Sequence, residues 1–549
     1  MEGIYKIDGG DNPFIQKMDF PKIGYYELPQ DADFHNFVIN IFEHNPIKKL
    51  IIPVHLGNAG IRFRGLKLAL HIRLTAEIGE GRFIPIVLVA DDDFENIMFL
   101  AKNSNLNLNY LLLTEGCFLA EENEILIQKL IQTKEPIDPL KFKSEVLDRL
   151  KVLPSEEVGK HSLANQWGAF RLDEMARTQA LEDKKDLKNK QKELYFKYIR
   201  SFNDDYSDLN KVESTSNTAP KIVNSVNKKI LLIDDEADKG WADVLDKIFI
   251  GADFQVISKN SFPQLKAEAE HKIQQEDWDL ILLDLRLNPT KEEKSEFIAE
   301  GKIENYSGTE LLKLIKTKNR GTQVIIFTAS NKAWNMKALL NLGADGYFIK
   351  ESPELGFSND FSRENIDNFL STAKNCLDKY YLQDIFRQKA SIETQLQTKK
   401  GFSTDYDDFL DELQTQIEIS YNLLYPAITV PEFAYAFFSL YKVLEAIGKQ
   451  KVENSLITAS KNHVWNVTTR NLEQNQNTGS KGVFQKIAYI HKHMQGQNDN
   501  TFFEKLYWVK EWRNDVGHSL TNTDSAEIEK FRNGYLDLLE IIVSFLPVI

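Results

Sequence analysis

Ile230-Leu231-Leu232-Ile233-Asp234-Asp235-Glu236 opens the one part of the chain where several chemically useful residues stand at the spacings a single reaction needs. Further apolar runs follow between Lys229 and Ser352. Leu280-Ile281-Leu282-Leu283-Asp284 ends in an acid, Val324-Ile325-Ile326-Phe327-Thr328 in a hydroxyl, and Gly346-Tyr347-Phe348-Ile349-Lys350 in an amine. Continuous apolar runs of this length predict buried strands of a parallel sheet. The helical pattern Gly308-Thr309-Glu310-Leu311-Leu312-Lys313-Leu314-Ile315-Lys316 predicts one of the crossovers between them. Ligands bind beyond the carboxyl ends of the strands in an open parallel sheet, so these polar residues should converge on one acidic, metal-ready crevice.

This stretch resembles the receiver domain of two-component response regulators. The resemblance implies a flavodoxin-like, doubly wound parallel sheet. It implies Asp284 as phosphoacceptor, Asp234 and Asp235 with Asp284 as ligands of Mg2+, Thr328 and Lys350 as contacts of the phosphoryl group, and Tyr347 as the aromatic switch residue. The residue chemistry agrees. Mg2+ favours hard oxygen ligands and keeps several waters, so two or three carboxylates suffice. A carboxylate can act as nucleophile and carry an aspartyl phosphate, and Lys350 would neutralise charge on the transferring group. One departure from the family is visible. Gly308, where the helix after the acceptor strand should begin, lies 24 residues beyond Asp284, and the charged segment from Asn288 to Tyr306 fills a loop that is usually short.

At 549 residues the chain exceeds one core, and a prior of roughly 150 residues per domain predicts several units. Its 42% hydrophobic and 27% charged residues are those of an ordinary globular protein. Cys117 and Cys376 stand far apart, which argues against a disulfide framework and for a reducing compartment. The start, Met1-Glu2-Gly3-Ile4-Tyr5-Lys6, lacks a basic-then-apolar signal pattern, and no apolar stretch is long enough to cross a bilayer. A cytoplasmic protein is expected. The net charge of -14 argues against broad electrostatic binding of nucleic acid.

Residues 1–160 predict a second α/β domain, with strands at Leu50-Ile51-Ile52-Pro53-Val54, Ile84-Pro85-Ile86-Val87-Leu88-Val89-Ala90 and Tyr110-Leu111-Leu112-Leu113-Thr114. Gly65-Leu66-Lys67-Leu68-Ala69-Leu70-His71-Ile72-Arg73 aligns with the helix beginning at Gly308, placing Leu68 over Leu311 and Ile72 over Ile315. In that alignment Pro53 falls at Asp284, Ala90 at Thr328 and Thr114 at Lys350. The domain therefore resembles a degenerate receiver that has kept its fold, lost its site and dropped one strand-helix unit, and it cannot take phosphate by the receiver mechanism. The other reading is a generic α/β domain. Residues 161–228 predict a helical connector followed by a flexible linker rich in Ser, Asn and Thr. Residues 229–355 are the receiver, and 356–401 a further helical connector.

Residues 402–549 show amphipathic runs at Phe433 to Lys449, Phe484 to His493, Phe502 to Trp512 and Ile528 to Phe545, without strand-like alternation, and predict an all-helical bundle. Within it, Trp512-Arg513-Asn514-Asp515-Val516-Gly517-His518 resembles the hallmark of HEPN domains: an Arg, a polar residue directly after it, and a His a few positions on. On a continuing helix Arg513 and His518 would point about 140° apart, and Gly517 is a helix end that could re-aim His518. In active members of that family the pair forms a metal-independent endoribonuclease site. The resemblance implies His518 as general acid or base, Arg513 as the residue that stabilises the phosphate charge, and Asn514 as the polar residue of the same site, while Glu445, in the helical run Leu440-Tyr441-Lys442-Val443-Leu444-Glu445, is a candidate partner for Arg513. The region carries 13 Lys plus Arg against 19 Asp plus Glu, a net of -6, so an RNA surface would have to be local or built by a homodimer.

The whole chain reads as a response regulator that receives phosphate from a histidine kinase or phosphotransfer protein and controls a HEPN-like output acting on RNA. The alternative is a non-enzymatic adaptor whose bundle dimerises or binds a partner. A helix-turn-helix with a basic recognition helix does not stand out.

Overall fold

Apolar runs bounded by polar residues build two five-stranded sheets in the computed structural model of the chain. The structure describes residues 1–549 except 1, 11, 58–62, 104–106, 155–159, 183, 203–218, 260, 293–302, 330–332, 353–357, 478, 480, 517–524 and 548. The first sheet comprises β1 (Ile4–Asp8), β2 (Lys22–Gly24), β3 (Lys49–Pro53), β4 (Ile86–Ala90) and β5 (Cys117–Glu121), all parallel, in the order β2-β1-β3-β4-β5. The second comprises β6 (Lys229–Ile233), β7 (Asp253–Ile257), β8 (Leu280–Asp284), β9 (Gln323–Thr328) and β10 (Gly346–Ile349), in the order β10-β9-β8-β6-β7. Counted within each sheet, both orders are 2-1-3-4-5, the flavodoxin-like arrangement with its switch point between strands 1 and 3.

The first domain therefore lacks no strand-helix unit. Lys6 and Asp8 interrupt the apolar pattern of β1, and the Lys6 side chain is buried beside Ile7 with its ammonium donating to the carbonyls of Ile15, Gln16 and Met18 at 2.7–3.1 Å. The run Tyr110–Thr114 is not a strand either. Residues Leu108–Leu113 form a 3-10 helix with Leu108 and Leu111 buried, three apart as that helix requires, and the fifth strand is Cys117–Glu121.

The two domains share one close approach. Gly65 and Gly308 donate their N–H groups to Val54 O and Leu285 O at 3.0 and 3.1 Å. A Cβ on Gly65 would meet Pro53 O at 1.8 Å, and one on Gly308 would meet Asp284 O at 2.2 Å. The obstacles are backbone atoms, so the helix itself would have to move. Gly308→Ala, and likewise Gly65→Ala, should cost about 1–3 kcal/mol or more, read as a lowered melting temperature.

The chain divides into two compact units, residues 1–312 with 324–377, and residues 313–323 with 378–549. The segments expected as connectors are largely structural. The helix Lys160–Ala176 contributes Leu163, Trp167, Ala169, Phe170, Leu172 and Ala176 to the core that also holds Leu232, Trp241, Phe327 and Phe348 of the second sheet domain. Of the expected flexible linker, residues 203–218 lie outside the described set, while Val223–Asn224 pair with Phe249–Ile250. The helix Asn359–Asp378 buries Ile366, Phe369, Ala373, Cys376 and Leu377 in the same core, so the receiver-like domain runs past 355 to about 377. The helix Leu382–Thr398 instead joins the core of the second unit.

The helix Leu194–Ser201 divides its faces between two cores. Leu194, Lys197, Tyr198 and Ser201, spaced as one helical face, meet the first domain, while Phe196 and Ile199 pack into the second. Lys197 is buried with its ammonium 3.1 Å from His71 Nδ1 and hydrogen-bonded to Thr75 Oγ1. Burial lowers its pKa from 10.5 to about 7, against the opposing pull of Glu77 and Asp31. The unfolded chain thus holds a proton across about pH 7–10.5 that the folded chain has lost. This contribution to stability is complete above the unfolded value and disappears as pH falls through the folded one, with a slope of up to about 1.4 kcal/mol per pH unit. Because Asp235, raised to about 8, loses stability over the same interval, the check is the difference between proteins: from pH 7 to 9 the urea-unfolding stability of wild type should change more favourably than that of Lys197→Met.

In the second unit, Thr429 and Glu432 form a reciprocal capping box that starts the helix Val430–Lys451. That helix packs with Thr404–Leu424, Asn500–Asp515 and Ser525–Phe545 around Phe437, Leu440, Phe503, Phe531 and Leu538. The expectation of an entirely helical region fails at one place. His463–Asn466 and Asn471–Gln474 form an antiparallel hairpin.

Candidate functional site

The middle strand of the second sheet, β8, ends at Asp284 between the ends of β6 and β9. Parallel pairing aligns Leu283 with Ile233, so Asp234 comes beside Asp284, and ligand oxygens of Asp234, Asp235 and Asp284 lie within 4.8 Å of one another. Lys350 follows β10 and is buried among them. Its ammonium stands 2.8 Å from Asp234 Oδ2 and 3.2 Å from Asp284 Oδ2. Thr328, also buried, ends β9, and its carbonyl accepts the Lys350 backbone N–H at 2.7 Å. Tyr347 points outward, 39% exposed.

Three acids on one ammonium leave the site short of positive charge. Burial, reinforced by Asp284 and Asp234, raises Asp235 to about 8. Burial works against the charge on Lys350, yet Asp234 and Asp284 outweigh it and hold its pKa above the ordinary value. Asp235 Oδ1 is buried with no hydrogen-bond partner among the described residues. An orphaned carboxylate oxygen beside two further carboxylates is a donor set that fits a hard divalent cation. The long loop after β8 folds back on itself where described. Glu292 is buried and accepts from the backbone of Ser307 at 2.6 Å and of Asn288 at 3.1 Å, capping the helix Ser307–Lys318.

Residues outside the expected set also reach this site. Asn165 Oδ1, on the helix Lys160–Ala176, accepts from Lys350 Nζ at 3.1 Å and from Trp241 Nε1 at 2.9 Å. Ser162 Oγ lies 2.7 Å from a Glu236 carboxylate oxygen, and Arg171 binds Glu351, directly after Lys350, at 3.3 Å. The available signal was the lack of a polar face over Leu163 to Leu172, which marks a helix buried all round.

Equivalent positions in the first sheet carry other chemistry. Val54 N donates to Val89 O as Leu285 N does to Phe327 O, which places Pro53 at Asp284 and Ala90 at Thr328. Ala90 pairs with Glu121 as Thr328 pairs with Ile349, so the counterpart of Lys350 is Glu122 rather than Thr114. Thr114 is buried at the end of the 3-10 turn, its hydroxyl donating to Leu111 O. An acid thus replaces the ammonium and a proline replaces the acceptor.

In the second unit, Arg513 Nη2 donates to Glu445 Oε1 at 3.2 Å, and its guanidinium lies over Phe438 and Tyr441 at 5.6 and 5.9 Å. Arg513 Nε is buried without a hydrogen-bond partner among the described residues. Asn514 is exposed on the last turn of the helix Asn500–Asp515. His518 lies outside the described residues.

A parallel five-stranded sheet in this strand order, with flanking helices, is a flavodoxin-like α/β fold at the N-terminus and fits a receiver. More specifically, residues 14–120 match the family model of the inactive receiver domain. No curated protein matches the chain. The N-terminal domain is accordingly receiver-like, and among the described residues no helix is long and apolar enough to cross a membrane.

Proposed function

We propose that the chain is a response regulator in which the receiver at 229–377 takes phosphate on Asp284 and the silent receiver at the N-terminus serves as scaffold. The observation that carries this reading is the gathering of Asp234, Asp235 and Asp284 around Lys350 at the carboxyl edge of one sheet. A carboxylate oxygen of Asp284 attacks the phosphorus of an acyl phosphate or of a phosphohistidine on a kinase or phosphotransfer protein. The new O–P bond forms as the donor's P–O or P–N bond breaks, and the electron pair leaves with the donor. Lys350 and Thr328 receive the phosphoryl oxygens. Asp234, Asp235 and Asp284 would hold Mg2+, which supplies charge neutralisation at the transferring group.

The output in this reading is the C-terminal bundle, acting on RNA through Arg513, Asn514 and His518 as a homodimer. The Arg513–Glu445 pair supports it, since a carboxylate orients a half-buried guanidinium on the helix that carries the motif. The test is incubation of the full chain with acetyl phosphate and Mg2+. One phosphoryl group should be found, on Asp284, after borohydride trapping, and uptake at any other aspartate contradicts the reading.

A further inference from the structure

The helix Lys160–Ala176 occupies the mouth of the acceptor site, although no strand or crossover of the receiver sheet supplies it. Ala164 and Asn165 close a cavity of about 30 Å3 opposite Asp284 and Lys350, space on the order of one or two waters. An ammonium has three protons. Those of Lys350 have three oxygens within 3.2 Å, from Asp234, Asn165 and Asp284. Asn165 is itself buried, and its carboxamide oxygen is shared with the indole N–H of Trp241. Gly168 brings the helix into contact, for a Cβ there would meet Trp241 Cζ2 at 2.8 Å and Glu351 O at 2.9 Å.

A phosphoryl group on Asp284 needs both the closed space and a donor from Lys350. Asp234 cannot be the oxygen displaced without leaving a buried carboxylate beside two others. Asn165 is neutral, so exchanging its oxygen for a charged phosphoryl oxygen strengthens the contact to Lys350. We propose that Asn165 is a resident stand-in for a phosphoryl oxygen on Lys350, so that phosphate on Asp284 and the seated first turns of the helix Lys160–Ala176 exclude each other. The inference rests on the acceptor reading of Asp284. Leu163 and Trp167 of the first half share the core with Leu172 and Ala176, but among the described residues only the far half is also tied by a charged side chain of its own, Arg171, which binds Glu351, Asn359 and Ser362. Displacement is therefore confined to about residues 160–168. Phosphorylation in this scheme is read out beside the N-terminal domain, by the segment that leads from it.

The test uses the full chain, acetyl phosphate and Mg2+, with two measurements: the rate of labelling and amide hydrogen exchange across residues 160–168. Labelled wild type should exchange about fivefold or more faster there than unlabelled, with β8 unchanged. Asn165→Ala should be labelled about fivefold faster than wild type, the value of one hydrogen bond, and should exchange quickly without phosphate. Gly168→Val, which forces the helix away by sterics, should do the same. Labelling of Asn165→Ala alone, with wild type refractory, is the same result in its strongest form. If wild type is labelled on Asp284 while exchange at 160–168 and the labelling rate of Asn165→Ala are unchanged, the exclusion is wrong and the acceptor reading stands. If neither wild type nor either variant is labelled, the acceptor reading itself falls and this inference with it.

Discussion

Asp284→Ala is expected to reduce phosphate uptake from acetyl phosphate to background while leaving the sheet folded. The variant deletes the nucleophile from the middle strand, and a methyl group fits a buried strand end as well as a carboxylate does. It also removes one of the like charges that, with burial, raises Asp235, so the remaining acids and Lys350 form a quieter site rather than a broken one. The same experiment examines the first domain. With Pro53 at the acceptor position, Ala90 at the hydroxyl and Glu122 in place of the ammonium, those three positions supply no acceptor carboxylate, hydroxyl or ammonium for the receiver mechanism, and no label is expected there. Radiolabel from a phosphodonor, measured on the full-length variant, decides both points at once. Undiminished label would mean that the acceptor lies elsewhere, and label mapped before residue 160 would mean that the first domain is not silent.

His518→Ala should slow RNA cleavage by about 10²- to 10⁴-fold, the usual contribution of a general acid or base. Arg513 is held by Glu445 and backed by Phe438 and Tyr441, and if the proposed phosphate role is right Arg513→Ala should fall in the same range. If a ribose 2'-hydroxyl is the attacking group, as proposed, cleavage should persist in EDTA and leave cyclic phosphate ends. The net charge of -6 over residues 402–549 opposes a polyanion, and pairing two bundles across the motif helix would bring two Arg513 and two His518 into one groove. Activity should therefore rise with protein concentration through the dimerisation range. A wild type that is inert in both phosphorylation states, or a His518→Ala variant as fast as wild type, would favour the dimerising adaptor.

What could be read from the residues alone follows from how each element is buried. In the second sheet β6, β8, β9 and β10 are continuous apolar runs that stand out, and the polar residue at the end of each marks the site edge, whereas β7 carries Asp253 and Gln255, is half-exposed and gives no such run. β1 and β5 gave weaker signals. β1 carries Lys6 in its interior, and β5 has the pattern of an edge strand with one exposed and two half-buried residues. The run Tyr110–Leu113 was as apolar as a strand, and only the spacing of Leu108 and Leu111 distinguishes it. The hairpin at 463–474 turns through Thr468, Thr469 and Arg470, with Arg470 at φ 50°, and has none of the Gly or Asn-Gly chemistry by which a hairpin is normally read. The part played by Asn165 was out of reach for a different reason. One polar residue in a buried helix implies a partner but does not name it, and Lys350 is 185 residues away.

The helix Leu194–Ser201, which gives Leu194 to one core and Phe196 to the other, ties the fate of two domains together. Neither core can melt without stripping the helix from the other, so heat should dissolve both sheets in one cooperative step. A lesion in the first domain should then lower the lifetime of the second. The interior of the first domain is thus under the same demand for sound packing as that of the second, whatever chemistry each carries.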